Sequence, residues 1–144
     1  MDSMLSGFER HLCDIQGRLF VLSLAKGLNS GDFIKKFMNS ETCQFFDLPY
    51  DRLQWAGEEY ILENLLDETN IESGGTQFSK ESLYWIGYVY RYWHLLKGES
   101  SKSIWERADA ELMGECYCGF HTLDVEMAIE NLKEIHGLKM SQNT

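Results

Sequence analysis

Phe8, Leu12, Ile15, Leu19 and Leu22 recur at steps of three and four residues, which lays one apolar stripe along a helix. The pattern predicts a first helix from about Met4 to Leu28, widened on its apolar side by Phe20, Val21 and Leu24 and broken by Gly27 and Asn29-Ser30-Gly31. A short second helix, capped by Asp32 or Ser30, sets Phe33, Ile34, Phe37 and Met38 against the core and Lys35 and Lys36 away from it. Pro49 disfavours helix at Leu48 and suits the first turn of another, expected over Tyr50 to Asp67. Its inward stripe is Leu53, Ala56, Tyr60, Ile61 and Leu65, with Glu58, Glu59, Glu63, Asp67 and Glu68 outside. Thr69 to Gln77, with Gly74-Gly75, reads as a loop and as the place for local mobility.

The stretch 80–97 is apolar or aromatic around nearly its whole circumference, as in a helix buried by other helices. Ser79 caps it, Phe78 is placed to staple onto Leu83, and Lys97-Gly98 closes it. Alternation along Tyr84–Tyr92 also fits a strand, but the length of the run favours helix. Ser100 or Ser101 starts the next helix, with Ile104, Trp105 and Ala108 inward, and Ala110 to Tyr117 adds another turn or two. Thr122 caps a last helix along Leu123, Met127, Ala128, Ile129, Leu132 and Ile135, which Gly137 ends. The expected fold is all-α, an irregular bundle of five to seven helices around a central aromatic-rich helix at 80–97, with one domain over 1–137 and a frayed tail over 138–144.

Composition sharpens this in two ways. With 144 residues, 44% apolar and 13% aromatic, the chain buries a core without metal or disulfide, and disorder is excluded. No apolar run reaches the roughly 20 residues that cross a bilayer, and Met1 to Arg10 lacks the order of a signal peptide, so a cytoplasmic protein is expected. The net charge is −10, which opposes a broad nucleic-acid surface. It is also uneven: residues 47–79 carry eight acids and only Arg52, whereas 80–107 carry five bases and three acids. An acidic stripe of this kind fits a basic partner or serves only as a solvated face. Trp55 or Tyr60, beside Glu58, Glu59 and Glu63, would be the apolar anchor of such a contact.

Catalytic signatures are sparse. There is no phosphate-cradling glycine loop, no Gly-x-Ser-x-Gly elbow and no His-Glu-x-x-His. The Arg91-Tyr-Trp-His94 spacing is too short for the Arg–His motif of HEPN-type endoribonucleases. Cys116, Cys118 and His121 lack the second ligand pair that a zinc site needs, so Cys13, Cys43, Cys116 and Cys118 read as reduced thiols and neither metal nor cofactor is expected. Tyr88, Arg91 and His94 are the candidates for an aromatic pocket; the alternative is that Arg91 pairs with an acid from another helix.

Tyr84-Trp85-Ile86-Gly87-Tyr88-Val89-Tyr90-Arg91-Tyr92-Trp93, Glu99-Ser100-Ser101-Lys102 and Phe120-His121-Thr122-Leu123-Asp124-x-x-x-Ala128-Ile129 resemble a family of small uncharacterised proteins widespread in gut Firmicutes. Phe33-Ile34-x-x-Phe37-Met38-Asn39-Ser40 resembles its N-terminal part. The family accompanies toxin–antitoxin-type operons near ADP-ribosyltransferase-like toxin genes, so the resemblance implies an antitoxin or accessory role with no catalytic residue to transfer. Three readings stand: a protein that binds a basic toxin or effector, a nucleic-acid-directed regulator using segment 80–107, and a small-molecule protein with a pocket near Tyr88, Arg91 and His94.

Overall fold

Capping residues set most of the helix boundaries. The computed structural model describes residues 5–142. The elements are α1 (Gly7–Ala25), α2 (Ser30–Met38), α3 (Glu41–Asp47), a 3₁₀ turn (Arg52–Trp55), α4 (Glu58–Glu68), α5 (Lys80–Lys97), α6 (Ser101–Arg107), α7 (Ala110–Phe120) and α8 (Val125–Gln142). Among the described residues there is no strand, only an isolated bridge between Leu28 and Ser73. Ser6 and Glu9 form a reciprocal capping box on α1, and Ser40, Ser79, Ser100 and Asp109 each accept a backbone N–H at a helix start. Gly98 closes α5 in the left-handed region, φ 73°.

The fold is all-helical, with eight α-helices among the described residues where five to seven were expected. The extra count comes from residues 41–68. Ser40 caps α3, and Leu48 turns extended before Pro49, ending it. The single helix expected over Tyr50–Asp67 is split, because Ala56 and Gly57 are both extended and α4 starts only at Glu58. Tyr60 then faces solvent, and Leu62 takes an inward place beside Ile61 and Leu65. Three ends also differ from expectation. Asn29, rather than Ser30 or Asp32, caps α2. Thr122 lies in a turn before α8, and that helix runs through Gly137 to Gln142. Met4, the expected start of α1, and the end of the tail at Thr144 lie outside the described residues.

α1 and α5 pack so closely that glycine is needed on each. A Cβ at Gly17 would lie 2.7 Å from ring carbons of Tyr84, and one at Gly87 would lie 2.6 Å from the Gln16 carbonyl oxygen. The Gln16 amide donates to the Gly87 carbonyl at 3.0 Å, so the crossing also carries a buried hydrogen bond. Around it, Phe20 meets Phe33 and Phe37 edge-on at 5.1 and 5.7 Å, a favourable arrangement of ring quadrupoles. α5 also packs on α6, α7 and α8, with Val89 and Trp93 fully buried and Trp85 partly so.

The loop expected to be mobile is instead laced to the α1–α2 junction. Asn29 N–H donates to Glu72 O, Ser30 N–H to Thr76 O and Gly74 N–H to Gly27 O, at 2.8, 3.0 and 2.7 Å. Asp32 accepts from Glu72 N–H, and Lys36 Nζ donates to Asn70 O. The left-handed Gly74 and Gly75, φ 71° and 67°, give the chain the turn that this lacing requires.

Replacing Gly87 by Ala tests the α1–α5 crossing. The added methyl meets Gln16 backbone, which cannot swing aside as a flexible side chain would. Urea unfolding should show a loss of about 1–3 kcal/mol from overpacking, despite a helix-propensity gain near 1 kcal/mol. Equal or higher stability would mean that the helices are not in close contact there.

Candidate functional site

Arg91 is 1% exposed on α5, and each nitrogen of its head has a partner. Nε donates to Gln16 Oε1 of α1 at 2.8 Å, Nη1 to Asp47 Oδ1 at the end of α3 at 2.6 Å, and Nη2 to Cys43 Sγ at 3.5 Å. The guanidinium lies 4.4 Å from the centroid of the Phe46 ring. Asp47 is shared further, accepting from Ser101 N–H at 2.9 Å and Ser101 Oγ at 2.7 Å at the start of α6. Burial on its own would raise the Asp47 carboxyl, but Arg91, His94 and the two Ser101 bonds outweigh it and hold the group below the ordinary carboxylate value.

His94 sits one turn on. Its Nδ1 points at Glu99 O at 2.6 Å and its Nε2 at Asp47 O at 3.1 Å, so both ring nitrogens are spent on main-chain carbonyls and neither is placed as a general base. Tyr88 is elsewhere, in a ladder with Tyr84 and Tyr92 at centroid spacings of 5.9 and 6.2 Å. Tyr84 donates to Asp14 and Tyr92 to Glu126. The pocket expected at Tyr88, Arg91 and His94 is therefore not assembled: Arg91 is a buried structural charge and the tyrosine ladder runs along another side of α5. The five bases of segment 80–107 are largely committed as well. Arg91 is buried, Lys97 pairs with Glu130 at 2.8 Å and Arg107 pairs with Glu99 at 3.0 Å.

The surface feature that stands out lies on residues 45–66. Phe45, Leu48, Tyr50, Trp55, Tyr60 and Leu66 are all exposed large apolar side chains, Tyr50 at 90% and Trp55 at 72%. Trp55 stacks obliquely on Phe8 of α1, with ring centroids 4.9 Å apart. Phe8, Tyr50 and Trp55 line a groove of about 620 Å³ together with Leu12, Asp47, Pro49, His94 and Leu95. Tyr50 takes φ 68° without being glycine, an uncommon backbone state for a side chain that packs on so little.

Of the expected partner-binding residues, Trp55 lies on this groove, while Tyr60, Glu59 and Glu63 are exposed on α4. Glu58 lines a separate groove of about 550 Å³ with Val21, Leu22 and Tyr84. Among the described residues none of the three glutamates makes an ion pair. Glu68 is different: it caps α3, accepting from Glu41 N–H, Thr42 N–H and Thr42 Oγ1. Sequence reasoning missed Phe8, Tyr50 and Asp47. Phe8 fits the apolar stripe of α1 but lies at its tapering end, and only the neighbouring Pro49 hints at an exposed Tyr50.

The four cysteines are unpaired. Cys13 and Cys43 are buried, and burial pushes each thiol up to about 12, whereas Cys118 is exposed. Among the described residues no group of three or more His, Cys, Asp and Glu side chains is arranged to hold a metal ion. His121 stacks on Tyr117 with centroids 4.4 Å apart.

Two measurements follow from these groups. Asp47→Asn leaves Arg91 charged and unmatched, and stability at neutral pH should fall by about 3–5 kcal/mol. Because the folded carboxyl is depressed, its contribution is complete above about pH 4 and lost as pH falls below that value. The wild type should therefore weaken in that acid range by a component that the variant lacks; identical pH profiles would refute the pairing. In native protein, thiol titration at pH 8 should find Cys118 reacting first and Cys13 and Cys43 silent until denaturation. Rapid native labelling of all four would contradict the burial.

Comparison with known proteins returns no match to this chain, whether among family models, curated sequences or solved structures.

Proposed function

We propose that this chain is a non-enzymatic, cytoplasmic protein-binding module that takes a basic partner on the face formed by residues 45–67. One observation carries the reading: six large apolar side chains are exposed on a segment whose acids outnumber its bases and whose Glu59 and Glu63 are exposed without ion pairs. Apolar anchors within an unneutralised acidic field suit a partner with a basic surface. The charges speed encounter and reject wrong partners, and the anchors hold the complex. The resemblance to companions of toxin genes makes a basic toxin the first partner to seek, with this chain as its antitoxin or an accessory component.

A nucleic-acid role for segment 80–107 is less well supported, since its cations are mostly buried or paired. A ligand site at Tyr88, Arg91 and His94 lacks the common pocket it would need.

Co-purification with the products of adjacent genes identifies the partner, and association kinetics then test the surface. Reversing Glu58, Glu59 and Glu63 to Lys should slow association by about tenfold or more at low salt and flatten its salt dependence, with unchanged helicity. Unaltered association would reduce the acidic face to a solvated surface. Tight oligonucleotide binding near physiological salt, with no protein partner, would favour the nucleic-acid reading.

A further inference from the structure

A groove of about 640 Å³ lies between the starts of α2 and α5 and the body of α7, and none of its lining residues belongs to the 45–67 face. Its apolar part is Phe78, Gly114 and Tyr117, and a Cβ at Gly114 would come to 3.4 Å from the Phe78 ring, so the ring lies close over the α7 backbone. Phe78 is fixed in place: its N–H donates to Ser30 Oγ at 2.9 Å, and Ser30 N–H donates to Thr76 O at 3.0 Å. Three polar side chains on this lining are unspent. Ser82 is 7% exposed, yet its hydroxyl has no hydrogen-bond partner; only its N–H is used, donating to Ser79 Oγ at 3.1 Å. That hydroxyl is not sealed off as the indole nitrogens of Trp93 and Trp105 are, so it opens on the groove. Glu111 and Glu115 stand one turn apart on α7, both exposed, and among the described residues neither carboxylate makes an ion pair or accepts a hydrogen bond. No Lys, Arg or His lines the groove. Like charges four residues apart on a helix repel, and a cation between them removes that cost.

We infer that this groove binds a small organic amine with an apolar body, its body on Phe78 and Tyr117 and its ammonium on Glu111 and Glu115, with the Ser82 hydroxyl as a further polar contact. A mostly apolar groove with a few convergent polar groups is the usual form of a small-molecule site. Each part of the lining selects the same chemistry. A primary ammonium is a compact charge with three donors, which suits two carboxylates and a hydroxyl oxygen. An anion would meet two unpaired acids, and a purely apolar molecule would leave them and Ser82 unanswered. A bare metal ion would gain nothing from the aromatic wall, and among the described residues no group of three or more His, Cys, Asp and Glu is arranged to hold one. The starts of α2 and α5 do not call for an anion either, since Asn29 and Ser79 cap them and Asp32 and Glu81 stand in their first turns. The assignment is independent of the partner surface at 45–67.

The probe is phenethylamine, titrated into the full chain at low salt while the backbone amide signals of Ser82 and Gly114 are followed by NMR. Controls are phenethyl alcohol, which keeps the ring and loses the charge, and propylamine, which keeps the charge and loses the ring. The amine should shift both signals and bind about tenfold more tightly than either control. Glu111→Gln combined with Glu115→Gln should weaken it about tenfold, and Ser82→Ala about threefold. Both glutamates are exposed, so the double variant should keep its helicity and its unfolding midpoint. An alcohol that binds as tightly as the amine, an affinity within twofold of wild type in the glutamine variant, or no shift at Ser82 and Gly114 with millimolar amine would overturn the site. Reversing Glu58, Glu59 and Glu63 to Lys should leave amine binding within about twofold, since none of the three lines this groove. A tenfold loss in that variant would put the amine on the 45–67 face and overturn the assignment, whereas failure of the amine site alone leaves the partner surface standing.

Discussion

A guanidinium carried into a protein interior must keep its charge, so it must find an acid and fill its remaining donors there. Arg91 meets that demand by drawing α1 and α3 onto α5 through Gln16, Asp47 and Cys43. The single carboxylate of Asp47 extends the arrangement to α6 through Ser101. Four helices thus share one charge pair. Asp47 is also the last residue of α3, so the ion pair fixes the point from which residues 48–57 set out across the surface. The segment that carries Leu48, Tyr50 and Trp55 thus starts from the neutralisation of one buried cation.

The local features were legible because they rest on neighbouring residues. Ser79 and Ser100 before their helices and Gly98 after Lys97 each act within a few positions and appear where their chemistry places them, whereas Pro49 ends α3 without starting the helix expected after it. Apart from the helix ends at Asn29, Thr122 and Gly137, what failed depended on the chain beyond that range. Arg91 and His94 are three residues apart, about 60° around a helix, and that offset sends one into the interior and the other to carbonyls near the end of α5. The partner that decides the matter, Asp47, is 44 positions away in sequence. A period-based reading likewise assigned Tyr60 inward, because it assumed that the helix began near Tyr50. Starting instead at Glu58, the helix buries Ile61, Leu62 and Leu65.

The candidate surface was half visible. Acidic excess and Trp55 can be read from composition and order, but exposure is a property of what fails to cover a residue. Phe8 belongs to the same stripe as Leu12 and Ile15, yet it is exposed at the start of α1 while those two are buried. Glu68 shows the opposite lesson, an acid from the apparent solvent stripe that accepts the first N–H groups of α3 beside the Ser40 cap.

α4 is unequally held at its two ends. At its C-terminal end, Glu68 grips α3, and the following chain is laced to the α1–α2 junction. At its N-terminal end, Gly57 offers no side-chain cap, and only the favourable placing of Glu58 and Glu59 on the helix dipole offsets that loss. A load applied through Trp55 therefore reaches the weak end first. Beyond that first turn the helix is held by Ile61, Leu62 and Leu65 in the core, so only the turn at Glu58 can loosen without opening the bundle.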